Sequence, residues 1–205
     1  MGTNKARIDK NIKKILDGKT IDEARESIPE ITSEIKGDFI TREFSGQSYN
    51  SIVGVVGGKL SKLHLDEEES EKMISDPVQR ELWINEIMEL IEEETEEDMS
   101  ELLLKALRIS LAETVKEEKD EIYFVEVLFY QIIFLSLESV MQGALETIEE
   151  GLTILQIRKE FIKPLADKIF EDDVKINISK LVEGKITLTE MNKQISIKLK
   201  NFGGF

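Results

Sequence analysis

Cysteine is missing from all 205 residues. Its absence excludes disulfides, thiolate metal sites and cysteine nucleophiles together, and it fits a reducing compartment. Histidine occurs once, at His64. Histidine-based acid–base chemistry therefore has a single candidate, and the paired Glu-x-x-His motifs of a di-iron bundle are unmet. Three prolines are too few for an extended linker. No apolar run of the kind found in a secretory leader opens residues 1–20. Met1-Gly2 starts as a myristoylation signal would, but Ala6 stands where Ser or Thr is required. Basic charge is also scarce: 27 Lys and Arg face 42 Asp and Glu, for a net charge of −15. That balance opposes general affinity for nucleic-acid phosphate or anionic lipid. The basic residues that do cluster are Lys5, Arg7, Lys10, Lys13 and Lys14 near one end, and Lys193, Lys198 and Lys200 near the other. A cytoplasmic protein with no direct nucleic-acid or membrane partner is expected.

What the chain has is helix-forming pattern. Hydrophobic residues at 40% and charged residues at 34% suit a folded domain. The expected fold is all-α, a multi-helix bundle around a central apolar helix at about 122–148, with helical hairpins at both termini. It is read as one helical domain over 1–205, with an N-terminal hairpin at 5–37, a helical core at 48–163 and a C-terminal hairpin at 164–202.

One phrase occurs twice. Asn11 to Thr20 and Asn177 to Thr187 both run from an apolar-periodic helix into an acidic residue, Gly and Lys, then to Thr with Glu three positions on. Gly18 and Gly184 are the expected helix stops, since glycine takes the left-handed conformation without a Cβ penalty. Thr20–Glu23 and Thr187–Glu190 are the expected capping boxes. Pro29 predicts a restart or kink after Ile28.

Asp76-Pro77 predicts a capped helix to about Glu96, with Gln79 completing a box and Trp83, Ile84, Ile87, Met88 and Ile91 buried. Asp98 and Ser100 are alternative caps for a helix whose Leu103, Leu104, Leu107, Leu111 and Val115 face inward. Glu126, Gln131 and Glu138 interrupt the apolar run from Ile122 to Met141, which favours a buried helix over a membrane span. Thr153, following Gly151, predicts a restart, and Pro164 predicts the start of another helix. Asp172 or Asp173 is expected to cap the helix after that, and Gly203-Gly204-Phe205 to fray. Residues 39–56 permit two readings: a short β-hairpin, or part of a helix from Ser48 to Leu63. The helix is preferred because Leu60 and Leu63 continue its period. Its Ser51, Gly54, Gly58 and Ser61 would then form a strip permitting close helix contact.

Several chemistries fail on spacing. Gly54 to Ser61 lacks the first glycine and the Lys-Ser/Thr pair of a phosphate-binding loop. Glu183 to Glu190 resembles the back half of an EF-hand, but Ser179 and Leu181 stand where ligands are needed. The acidic runs at Asp66–Glu71, Glu92–Asp98, Glu117–Glu121 and Glu171–Asp173 fall at expected helix ends, where they read as caps and solvated faces. No catalytic, cofactor-binding or metal-ligating residue is assigned, and no cofactor. The expected role is that of a non-enzymatic acidic helical protein acting by protein–protein interaction or regulation, with self-association. One rival is a helical-bundle enzyme or ligand carrier using buried carboxylates, Glu126 and Glu138. The other is an acidic DNA mimic that inhibits a basic protein.

Overall fold

Helix is the only regular structure among the described residues of the computed structural model. The structure describes residues 2–35, 37–43, 45–95, 98–146 and 152–201, with side chains from Arg7 onward. Several expectations lie outside these residues: the helix end at Glu96, the last residues of the central helix at 147–148, the contribution of Gly151, the end of the C-terminal hairpin at 202 and the frayed 203–205.

In chain order the elements are α1 (Gly2–Leu16), α2 (Ile21–Glu26), α3 (Ile28–Glu34), α4 (Phe39–Glu43) and α5 (Gly46–Leu65). They continue with α6 (Glu67–Ser75), α7 (Pro77–Glu94), α8 (Glu101–Lys116) and the central apolar helix α9 (Glu121–Leu145). A last group follows: α10 (Ile154–Ile157), a π-helical turn (Arg158–Ile162), α11 (Lys163–Ile169), α12 (Asp172–Val182) and α13 (Leu188–Asn201). The chain divides into two compact units. The first comprises residues 1–39, 133–174 and 189–205, the second residues 40–132 and 175–188.

In the first unit α1 packs on α3, burying Ile8, Ile12 and Leu16 with Ile31 and Ile35. The hairpin follows from the repeated phrase. Gly18 has φ +68°, and Lys19 N–H donates to the Leu16 carbonyl at 3.1 Å. Thr20 and Glu23 close the capping box reciprocally. Ser27 then serves both as the end of α2 and as the start of α3, with Pro29 in the first turn, so the expected restart is present. The second half of α9 supplies Ile133, Leu137, Met141, Ala144 and Leu145 to this unit's core. Phe161, Ile162, Leu165, Met191, Ile195 and Leu199 are buried in the same unit.

Thr153 forms a second reciprocal box, with Gln156. Pro164 stands in the first turn of α11, as expected, but no break in the chain precedes it. The chain stays helical from Ile154 to Ile169 by widening to a π turn just ahead of the proline. Lys163 N–H reaches back to the Arg158 carbonyl, five residues away. Proline offers no N–H and crowds the carbonyl four residues earlier, and the wider turn accommodates both defects.

In the second unit α7 buries the five residues expected of it, and α8 buries Leu103, Leu107, Leu111 and Val115 while Leu104 is only half-buried. Ser100 is the α8 cap, accepting from Leu103 N–H at 3.0 Å. Two buried hydroxyls of α8 satisfy themselves locally, Ser110 on the Ala106 carbonyl and Thr114 on the Ser110 carbonyl, each at 2.7 Å. Phe124, Leu128, Phe129 and Ile132 of α9 complete the core, and the Phe129 and Tyr49 rings stand 6.1 Å apart, tilted by 51°.

Residues 39–56 form no β-hairpin. They belong to α4 and α5, apart from Phe44, which lies outside the described residues, and Ser45 between the two. Ser45, where a hairpin would turn, is instead an N-cap with φ −76° and ψ 170°, accepting from Ser48 N–H. The small-residue strip of α5 also differs from expectation. Gly54 and Gly58 face open space, and the close approach is at Gly57, against which the Glu121 carboxylate lies.

Glu118 ends α8 with a positive φ of 51°, rare for a residue with a Cβ. Its N–H donates to the Val115 carbonyl at 3.1 Å and that of Lys119 to the Thr114 carbonyl at 3.0 Å, the Schellman pattern. Glycine is the natural occupant of this position. Glu118→Gly should therefore stabilise the protein by about 0.5–1 kcal/mol, read as a higher denaturant midpoint at unchanged slope.

Candidate functional site

Three places gather polar groups whose chemistry could serve a ligand, and each lies within one unit. The first is built on α9 and the π turn. Glu138 is buried among the apolar residues of α9, and Arg158, the first residue of the turn, donates its Nε proton to that carboxylate. The bond holds the Arg158 guanidinium above its ordinary pKa. A buried carboxylate must be paired, protonated or metal-bound, and here it is paired. The bond engages one carboxylate oxygen, Oε1. The sequence indicated Glu138 as a residue to inspect but not Arg158, because the partner is twenty positions away and is reached only when the helix widens.

The second place is at the start of α9. Glu126 is half-buried, and burial raises its carboxyl above the usual range, opposed by Lys175 and reinforced by Asp120. Neighbouring Tyr123 donates to Glu113 at 3.3 Å, and its phenol is raised by burial and then by Glu113. Glu126 and Glu138 are twelve residues apart in α9, and they belong to different units.

The third place is an open cleft of about 350 Å³ lined by His64, Glu67, Ser70, Glu71 and Glu118. His64 stands in the last turn of α5, where a positive charge is favoured by the helix dipole, and it is exposed. Among the described residues no three His, Asp or Glu side chains are arranged to hold a metal ion.

The remaining motifs have structural explanations. Gly54 to Ser61 lies in the middle of α5, so its amides are committed to helical bonds and cannot wrap a phosphate. The Gly184 phrase is a Schellman stop: φ is +70°, Lys185 N–H donates to the Lys180 carbonyl at 2.7 Å and Gly184 N–H to the Leu181 carbonyl at 3.0 Å. The acidic runs are largely used at helix starts. Asp66 caps α6 with Glu67, Glu68 and Glu69 in its first turn, and Asp120 accepts from Tyr123 N–H at 3.0 Å. Asp172 and Asp173 occupy the first turn of α12, one step inside the expected cap, and Lys198 bridges Glu171 at 2.8 Å and Asp173 at 2.7 Å. The exception is Glu92 to Glu94, at the C-terminal end of α7, where no basic residue offsets the dipole.

No family model, curated protein or solved structure matches the chain. α9 is long and apolar enough to cross a membrane, but 72% of its most apolar window is buried within the protein.

Proposed function

We propose that this protein acts without chemistry of its own, by binding protein surfaces in the cytoplasm, and that its first partner is a second copy of itself. The observation behind this reading is that large apolar side chains are left in water, two of them neighbours on α7. Leu65 is 87% exposed, Val78 66% and Leu82 59%. Val78 and Leu82 are one helical turn apart on α7, outside the stripe that buries Trp83, Ile84, Ile87, Met88 and Ile91. Isolated exposed apolar residues are ordinary, whereas neighbours on one helix face form a ridge that association can cover. The polar places described above point the same way, since each is paired, half-solvated or open.

Charge sets a condition on this association. Two copies each carrying −15 repel, so dimers should strengthen as salt screens the repulsion. Light scattering on size-fractionated protein at high concentration should give twice the chain mass in raised salt. The double variant Val78→Glu with Leu82→Glu should return the mass to that of one chain while leaving the helical circular dichroism unchanged. A strict monomer for the unaltered protein at every salt concentration would remove the reading.

A further inference from the structure

We infer that α6 is a strap that opens as one piece about Asp66 and Asp76, with Met73 as its latch. The helices it packs against bury several side chains each, six in α5, five in α7 and seven in α8. α6 buries one, Met73. Ser70 and Ile74 are half-buried and the other six residues are exposed. Its polar tie to α7 is Arg80, whose Nη1 donates to the Met73 and Ile74 carbonyls at 3.0 Å each.

The two ends are built to move without breaking helices. Asp66 and Asp76 are single-residue joints with extended backbone, φ −115° and ψ 94° at the first, φ −109° and ψ 104° at the second. Each joint closes the helix before it and starts the helix after it. Asp66 N–H donates to the Leu63 carbonyl at 3.1 Å while its carboxylate accepts from Glu69 N–H at 3.0 Å. Asp76 N–H donates to the Lys72 carbonyl at 2.9 Å while its carboxylate accepts from Val78 and Gln79 N–H. Because that amide is already used, Gln79 has no free donor to close the expected box on. Rotation about φ at the joints leaves the caps of α6 and α7 in place, so opening gives up the seat of Met73, the partial cover of Ser70 and Ile74, and the Arg80 bonds. Segments with so few buried contacts open at the low end of a protein's local stabilities.

Leu65 directly precedes the first joint, and Val78 follows the second by two residues. An open strap adds the vacated Met73 seat to the apolar groups already exposed on either side, and so regulates how much surface a second copy can cover. This last step rests on the self-association reading; the strap itself does not.

Methionine oxidation by dilute peroxide, mapped by mass spectrometry, separates a strap from a fixed helix. Met73 and Met88 are both buried, at 7% and 3% exposure, so in a fixed structure they oxidise at rates within a few-fold of each other. A strap predicts Met73 sulfoxide at least about tenfold faster than Met88 sulfoxide, at a rate insensitive to low denaturant. Arg80→Ala should raise the Met73 rate several-fold and leave the Met88 rate unchanged. Equal rates for the two methionines, rising together with denaturant, would overturn the proposal, as would an Arg80→Ala protein whose Met73 rate does not move. Fast Met73 oxidation in a protein that scatters as a monomer at all salt concentrations leaves the strap standing and removes the association reading. A dimer with matched oxidation rates does the reverse.

Discussion

Gly37→Ala should cost the protein about 3 kcal/mol, the largest effect expected of any single methyl group here. A Cβ built on Gly37 falls 2.5 Å from the Ser196 Cα and 2.7 Å from its Cβ, well inside van der Waals contact. The Ser196 hydroxyl donates to the Gly37 carbonyl at 2.6 Å and also lies within reach of the Asn192 carbonyl, at 2.9 Å. A side chain at 37 must therefore push α13 away and lose the first of these bonds. Overpacking of this kind costs about 1–3 kcal/mol, and the lost hydrogen bond adds about 1. Denaturant unfolding of Gly37→Ala measures the sum. Adding Ser196→Gly should recover only part of it, because the Ser196 Cα is backbone and stays where it is. Full recovery would place the clash in the side chain and contradict the geometry.

Arg158→Ala should cost about 2 kcal/mol through the carboxylate it leaves behind. Removing one partner of a fully buried pair costs about 3–5 kcal/mol, because the other charge stays unsolvated. Arg158 is partly in water, at 41% side-chain exposure, so solvent moderates the loss, while Glu138 has only 10%. Replacing both residues by leucine removes the stranded charge, and most of the lost stability should return. A double variant as unstable as Arg158→Ala alone would mean that the π turn, rather than the ion pair, carries the energy.

Much of the fold was legible because helix periodicity and capping act over three or four residues. The buried face of α7, the Gly18 and Gly184 stops, the Thr20 box and the Ser100 cap are all local in this sense. What escaped sequence reading depends on geometry at longer range. The Ser45–Ser48 cap and the hairpin alternative use the same polar residues, and the helical backbone from Gly46 onward separates them. Pro164 marks the start of α11 but gives no sign that the helix before it runs on through a π turn at Arg158–Ile162. The candidate sites were less legible still. Glu138 is conspicuous on an apolar helix, but whether it is reactive depends on a guanidinium twenty residues away. His64 stood out only by being alone, and it lies in an open cleft. The exposure of Leu65, Val78 and Leu82 leaves little trace in the sequence, since leucine and valine look the same on either side of a helix.

The course of α9 has a consequence for synthesis and for dissection of the chain. Its residues 121–132 belong to one unit and 133–145 to the other, and the first unit draws on three separate stretches of chain. Neither unit can be cut out as one contiguous fragment, so truncation will not yield an independently folding half. On the ribosome, the unit that holds residues 1–39 must wait for residues 189–201 before its core can close. Nearly the whole chain is thus made before the first-made helices gain their full set of neighbours.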